Sequence, residues 1–117
     1  MAVDSVAEFY FERRVAVEGK TYLVGKVFKG SIKLGDRFSS LLRICSTKIA
    51  QSEFRNEIIS CREVDFSVVE ISGFNRSFEE ITEGYSAGLI LSGNGLSNIT
   101  ESTSQHGVFE YDLLMKY

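Results

Sequence analysis

Apolar and polar residues alternate along much of the chain with the period of two that is typical of β-strands. In the first such run, the apolar residues Ala7, Phe9, Phe11, Val15 and Val17 share one parity, which only Arg13 interrupts, so a long half-buried strand is predicted. Residues 18–20 contain a turn signal, and residues 21–28 are rich in β-branched and aromatic side chains. The pattern therefore predicts a hairpin of two strands at the start of the chain.

Further strands are predicted downstream, over 37–45, 64–71 and 88–91. The apolar parity slips between Val68 and Val69, which indicates a β-bulge. A final strand has an apolar side made of alternate residues, namely Phe109, Tyr111, Leu113 and Met115. Residues 46–61 fit either a short helix or a strand pair, and residues 96–107 are a polar loop. About six or seven short strands separated by turns predict an all-β barrel or sandwich.

The composition is that of one ordinary globular domain over residues 1–117. The chain is 44% hydrophobic and 25% charged, and its net charge of −3 disfavours a dedicated nucleic-acid binder. Charge is uneven along the chain: residues 1–62 have eleven Lys or Arg against seven Asp or Glu, whereas residues 63–117 have two against nine. Interleaving of the two halves in a barrel would cancel this asymmetry in space.

The expected location is the cytoplasm, because the first residues resemble no signal peptide and no apolar stretch is long enough to cross a membrane. In a reducing compartment, Cys45 and Cys61 are expected to be core-facing thiols. Together with the single His106 they do not make a zinc site, which needs four ligands with paired spacing. No metal or cofactor is predicted.

Two segments resemble the second domain of translational GTPases of the elongation factor Tu type. In that family a G-x-G-x-V-x-x-G-R-V strand is followed by R-G-x-I-x-x-G-D, and here EGKTYLVGKV at 18–27 is followed by KGSIKLGD at 29–36. Further on, ITEGYSAGLILSG at 81–93 is similar to the family's acidic turn, Ala-Gly pair and V-G-L-x-L-x-G strand. Lysine replaces arginine at Lys26 and Lys29, and Lys20 replaces a glycine.

The resemblance covers residues 7–45 and 63–95 and implies one antiparallel Greek-key barrel without the GTPase domain. Residues 46–61 are then an insertion. Gly30 and Gly35 are expected in turns with positive φ, and Ile32 between them is expected to plug one end of the barrel. The family likeness also implies contact with transfer or ribosomal RNA. Its phosphate contacts would be basic residues near the first hairpin, namely Lys20, Lys26, Lys29, Lys33 and Arg37.

No catalytic motif is recognisable in the chain. The triplet Gly19-Lys20-Thr21 imitates the end of a phosphate-binding loop but lacks the upstream glycine, so a turn is expected and no nucleotide should bind. His106 lies in a polar loop without a nucleophile beside it. The acidic residues Glu79, Glu80 and Glu83 could form an acid/base pair or hold a hard cation, but a solvated turn is far more common.

The sequence therefore predicts a non-enzymatic binding module and leaves two partner classes open. The first is an unknown protein, bound by an adaptor, accessory or immunity-type barrel through exposed aromatic side chains. The candidates for such an interface are Tyr10, Tyr22, Phe74 and Tyr85. The alternative is RNA or the ribosome, contacted through the basic residues implied by the family resemblance. No membrane partner is expected.

Overall fold

The structure is a computed structural model that describes residues 5–73 and 76–117, and it is a closed antiparallel barrel of six strands. The described strands are β1 (Ala7–Val17), β2 (Lys20–Lys29), β3 (Ser31–Lys33), β4 (Arg37–Ala50), β5 (Glu53–Gly73), β6 (Arg76–Phe78), β7 (Glu80–Thr82), β8 (Ser86–Ser92), β9 (Thr103–Gln105) and β10 (Val108–Lys116). Around the barrel the order is β1-β2-β8-β5-β4-β10, and β10 pairs back with β1. The predicted all-β barrel is confirmed.

The barrel interior is filled by inward-facing side chains from all six strands. Four phenylalanines, Phe9, Phe11, Phe38 and Phe66, are fully buried there together with Leu89. Aromatic and branched side chains of this size bury enough apolar surface to make the barrel lumen a packed core. The prediction that the alternate apolar residues of β1 form its buried side is therefore confirmed for the first half of the strand.

Each end of the barrel has its own cover. The short pair of β3 and β7 lies over one end and buries Ile32 against Ile81, so the predicted plug is confirmed. At the opposite end, Ile99 from the polar loop is buried in the same core. Arg14 donates from Nη2 to the carbonyl oxygens of Leu96 and Ile99, which holds this loop against the barrel.

In the second half of β1, the prediction that Val15 and Val17 lie on the buried side of the strand is wrong. The pairing of β1 with β2 shifts register between Phe11 and Arg13, so Glu12 is an extra residue at a β-bulge. Beyond the bulge Val15 is only half-buried and Val17 is exposed. The bulge predicted near Val69 is confirmed, because the pairing of β5 with β8 shifts register between Val68 and Glu70.

Residues 46–61 are not helical but extend the β4 and β5 strands into a long hairpin that turns at Gln51 and Ser52. Strand β10 accompanies β4 only as far as Thr47, so the tip of the hairpin is two-stranded. The expectation of two core-facing cysteines is wrong: Cys61 is exposed and Cys45 is half-buried, because both lie on this hairpin. Both are free thiols.

Gly30 and Gly35 have φ values of +69° and +85°, as predicted for the turns on either side of β3. A Cβ at Gly35 would meet no atom within 4 Å, whereas a Cβ at Gly30 would clash with the carbonyl oxygen of Val6. We expect Gly35→Ala to destabilise the protein by about 1 kcal/mol through backbone strain alone. Gly30→Ala should cost about 2–3 kcal/mol, because overpacking adds to the strain. Chemical denaturation of both variants, followed by circular dichroism, measures the difference, and equal costs would contradict this account.

Candidate functional site

A second apolar cluster lies on the outside of the barrel, separate from the core. Its base is formed by Leu42, Ile44 and Leu113, which are buried although they face away from the lumen. Tyr10, Tyr111 and Met115 pack around this base. Polar residues would be expected on the outer surface of a small barrel, so an apolar cluster here is the feature that requires explanation.

The strand register explains how the cluster forms. Leu42 of β4 lies opposite Leu113 of β10, and Leu113 lies opposite Tyr10 of β1, so these three side chains form one row across three strands. The ring of Phe28 from β2 stacks on Tyr10 with the centroids 5.1 Å apart and the planes 4° apart. The Tyr111 ring meets Tyr10 edge-on at 5.0 Å, a favourable arrangement of two rings.

The hairpin of β4 and β5 continues the same face beyond the barrel. Ile44 lies opposite both Tyr111 and Ile58, and the Phe54 and Phe109 rings are 6.0 Å apart. The exposed fractions are 43% for Phe28, 48% for Phe54, 64% for Ile58 and 37% for Phe109. We call this continuous surface the aromatic face; it consists of Tyr10, Phe28, Leu42, Ile44, Phe54, Ile58, Phe109, Tyr111, Leu113 and Met115.

The apolar side predicted for the last strand, β10, lies on the outside of the barrel. Phe109, Tyr111, Leu113 and Met115 belong to the aromatic face, whereas Leu114 and Asp112 point inward and are buried. Burial raises the pKa of the Tyr111 phenol, and the neighbouring Tyr10 and Glu8 raise it further. The Tyr111 phenol therefore stays neutral and is available as a hydrogen-bond donor over the whole physiological pH range.

Three of the five predicted phosphate contacts are engaged with carboxylates. Lys20 Nζ lies 3.2 Å from Glu70 Oε1, Lys33 Nζ lies 3.8 Å from Glu80 Oε2, and Arg37 Nη1 lies 3.8 Å from Asp65 Oδ1. All three carboxylates come from residues 63–117, so the uneven charge along the chain is partly cancelled in space. Glu70 also accepts a hydrogen bond from the Tyr22 hydroxyl at 2.5 Å, and this bond followed by Lys20 lowers the pKa of Glu70.

The other two predicted contacts, Lys26 and Lys29, both lie on β2, and Lys26 is beside the aromatic face. Lys26 pairs with Tyr10 across β1 and β2, and Lys29 pairs with Glu8. Both lysines are exposed, and no salt bridge joins either to another described residue. The five cations therefore form no single patch in this structure. Lys26 lies opposite Tyr10 of the aromatic face, whereas Lys20 lies near Tyr22, with which it shares Glu70.

The four predicted interface aromatics are dispersed over the molecule. Tyr10 lies within the aromatic face, and Tyr22 is half-buried with its hydroxyl bonded to Glu70. Tyr85 is exposed on a different part of the barrel, beside Phe78 and Ile81. Phe74 lies outside the described residues.

The groups considered for acid/base or metal chemistry are spread out. His106 is an exposed turn residue with a positive φ, and of the acidic residues near β7, Glu80 faces Lys33 while Glu83 accepts from the backbone N–H of Gly30. Within 5–73 and 76–117, no group of three or more His, Cys, Asp or Glu is arranged to hold a metal ion. No helix in these ranges is long and apolar enough to cross a membrane.

No protein-family model matches the chain, and no curated protein matches it significantly in sequence.

The sequence pattern missed most of the aromatic face, although it contains a usable signal. Adjacent apolar pairs, Leu41-Leu42 and Leu113-Leu114, occur in two strands that pair with each other. Consecutive apolar residues in a strand indicate that both of its faces are covered. A strand of a six-stranded barrel has one face in the core, so these pairs point to an apolar surface outside.

Proposed function

We propose that this protein is a non-enzymatic binding module that captures a protein partner on the aromatic face. The observation that carries the proposal is the cluster of Leu42, Ile44 and Leu113 outside the barrel, with exposed aromatic rings around it. Tyrosine and phenylalanine are enriched at the centres of protein interfaces, where they bury much area with little loss of side-chain freedom. An apolar face with no partner in its own fold has a cost in water that a bound partner removes.

The charges at the two ends of the aromatic face define the partner further. Lys26 lies opposite Tyr10 at the barrel end, and Lys48 lies opposite Phe54 at the hairpin end. A partner that presents apolar side chains between two carboxylate-bearing regions would complement both the face and these lysines. The elongated form of the face favours a strand or an extended segment of the partner over a small compact ligand.

RNA is the second candidate, and the position of Lys26 beside the stacked Tyr10 and Phe28 rings favours it. Aromatic rings flanked by cations are the elements that single-stranded RNA uses for base stacking and phosphate contact. However, Lys20, Lys33 and Arg37 face carboxylates, and much of the face is aliphatic. Aliphatic side chains match a protein surface better than a nucleic acid.

Site-specific photo-crosslinking distinguishes the two candidates. A photoreactive phenylalanine analogue at position 28 should capture one protein in host extract, and nuclease treatment should not reduce the yield. The same analogue at position 69 is the matched control, because Val69 is 56% exposed but does not belong to the face. Phe28→Asp in purified protein should abolish binding of the captured partner, whereas Val69→Asp should retain it.

Other outcomes of this experiment refute the proposal. Crosslinked RNA that disappears on nuclease treatment would replace the protein partner with the second candidate. Equal capture from positions 28 and 69 would show that the aromatic face is not the binding surface. Circular dichroism of both aspartate variants confirms that the barrel remains folded.

A further inference from the structure

One edge of the hairpin, which we call the open edge, has no strand partner among residues 5–73 and 76–117. Strand β5 pairs with β4 from Glu53 onward, but its other edge meets β8 only from Ser67. Near Asp65 the backbone of Gly93 approaches this edge closely. Between Glu53 and Glu63, therefore, no described strand uses the outer row of backbone donors and acceptors. An open edge of this length is a template for pairing with another strand.

The residues of this edge restrict how two copies of the chain could pair around a two-fold axis. Opposite residues in an antiparallel pair point to the same face, so such an axis must pass midway between one residue and the same residue of the second copy, which we call the centre of the pairing. A centre on Arg55 or on Glu57 places like charges directly opposite each other. A centre on Ile58 places Glu53 opposite Glu63, and Ile59 is an extra residue at a bulge in the pairing with β4.

A centre on the bulged Ile59 interrupts the pairing, a centre on Ser60 places Glu57 opposite Glu63, and a centre on Cys61 leaves only residues 59–63 in the pairing. The remaining centre is Asn56, and its neighbours are self-complementary. Arg55 then lies opposite Glu57 of the second copy, and Phe54 lies opposite Ile58 of the second copy. Each pair occurs twice because of the symmetry. Opposite charges and aromatic with β-branched side chains are the cross-strand pairs that stabilise antiparallel sheets. A centre on Phe54 would leave only three residues of β5 in the pairing.

We propose that the open edge of β5 binds a second copy of this chain, with the two-fold axis at Asn56. The two barrels then share one continuous sheet through their hairpins. Phe54 and Ile58 of both copies lie on the same side of that sheet, so the two aromatic faces join across the axis. The interface is isologous and closed, which limits the assembly to a dimer. This inference does not depend on a partner for the aromatic face.

Charge exchange at the edge tests the register. In sedimentation velocity, the wild-type mass should rise with concentration from 13.1 kDa to twice that value. Arg55→Glu and Glu57→Arg should each weaken self-association by about tenfold or more, because both symmetric pairs become like-charge pairs. The double variant Arg55→Glu/Glu57→Arg should restore it. An equimolar mixture of the two single variants should form a mixed dimer, since each Glu again faces an Arg.

The control is Arg62→Glu, a charge reversal on the same strand outside the proposed pairs. It should leave self-association unchanged, and circular dichroism shows whether each variant keeps the barrel. A wild-type chain that stays monomeric up to millimolar concentration overturns the proposal. The proposal is also overturned if Arg55→Glu and Glu57→Arg each dimerise as well as the wild-type chain, or if the two single variants do not associate when mixed. Loss of the dimer leaves the crosslink at position 28 intact, so failure of this proposal and of the proposed function are distinguishable.

Discussion

Replacement of Asp112 by alanine should destabilise the barrel by about 3–5 kcal/mol, the range for removing one member of a buried ion pair. Asp112 is only 3% exposed. Its Oδ1 accepts a hydrogen bond from Arg43 Nη1 at 3.1 Å, and its Oδ2 accepts one from the backbone N–H of Thr100 at 2.6 Å. Without the carboxylate, the largely buried Arg43 guanidinium loses its closest counter-charge and the Thr100 N–H loses its acceptor.

Thermal unfolding followed by circular dichroism measures this effect. A loss of 3 kcal/mol lowers the Tm of a domain of this size by about 12 °C. The control is Glu110→Ala, since Glu110 also faces Arg43, at 3.4 Å, but is much more exposed. Glu110→Ala should cost at most about 1 kcal/mol, as is usual for surface ion pairs. Similar losses for Asp112→Ala and Glu110→Ala would contradict the role assigned to Asp112.

Replacement of Ile32 by alanine should cost about 2–5 kcal/mol, because the side chain is fully buried where β3 covers the end of the barrel. Its partner across the short sheet is Ile81, which is also buried. The truncated side chain would leave a cavity at the end of the core, which three-residue strands on both sides would close only in part. Chemical denaturation gives the free energy of unfolding directly.

Leu34→Ala provides the comparison two residues further along the chain. Leu34 is 45% exposed, so its loss should change the free energy of unfolding by less than about 1 kcal/mol. If Ile32→Ala is as mild as Leu34→Ala, β3 is not the cover of the barrel end. Gly30→Ala and Ile32→Ala act on the same short sheet, so their effects should not add when the two are combined.

The strands of the barrel were predictable from sequence because alternation reports the half-buried state of each strand. The run around Phe9 carries this signal clearly, the consecutive apolar residues around Leu89 indicate a buried strand, and the turns at Gly30 and Gly35 follow from glycine itself. Alternation does not say which side of a strand faces inward. In β10 the side with the more regular apolar residues, Tyr111 and Leu113, lies outside the barrel. The side that faces the interior carries Leu114 and Asp112, whose carboxylate is paired with Arg43.

For residues 46–61 the sequence left a short helix and a strand pair open, and the structure shows the strand pair; the plug at Ile99 was not predicted. The hairpin tip projects beyond the barrel and both of its sides are exposed, so burial does not impose a regular alternation on its residues. Ile99 belongs to no strand and is held by the guanidinium of Arg14 and by its own burial. The only sequence signal for the burial of Ile99 is that it is an isolated apolar residue in a polar loop.

Closure of the barrel joins the first and last strands of the described chain, since β1 pairs with β10. During synthesis, β1 leaves the ribosome about a hundred residues before its second neighbour exists. Until then both β1 and β4 lack a strand on one side, and the inner face of the unfinished sheet is exposed to water. Such pairing of distant segments slows folding and prolongs exposure to aggregation. A nascent chain of this protein therefore stays prone to aggregation with other chains until the nine-residue strand β10 has been synthesised and pairs with β1.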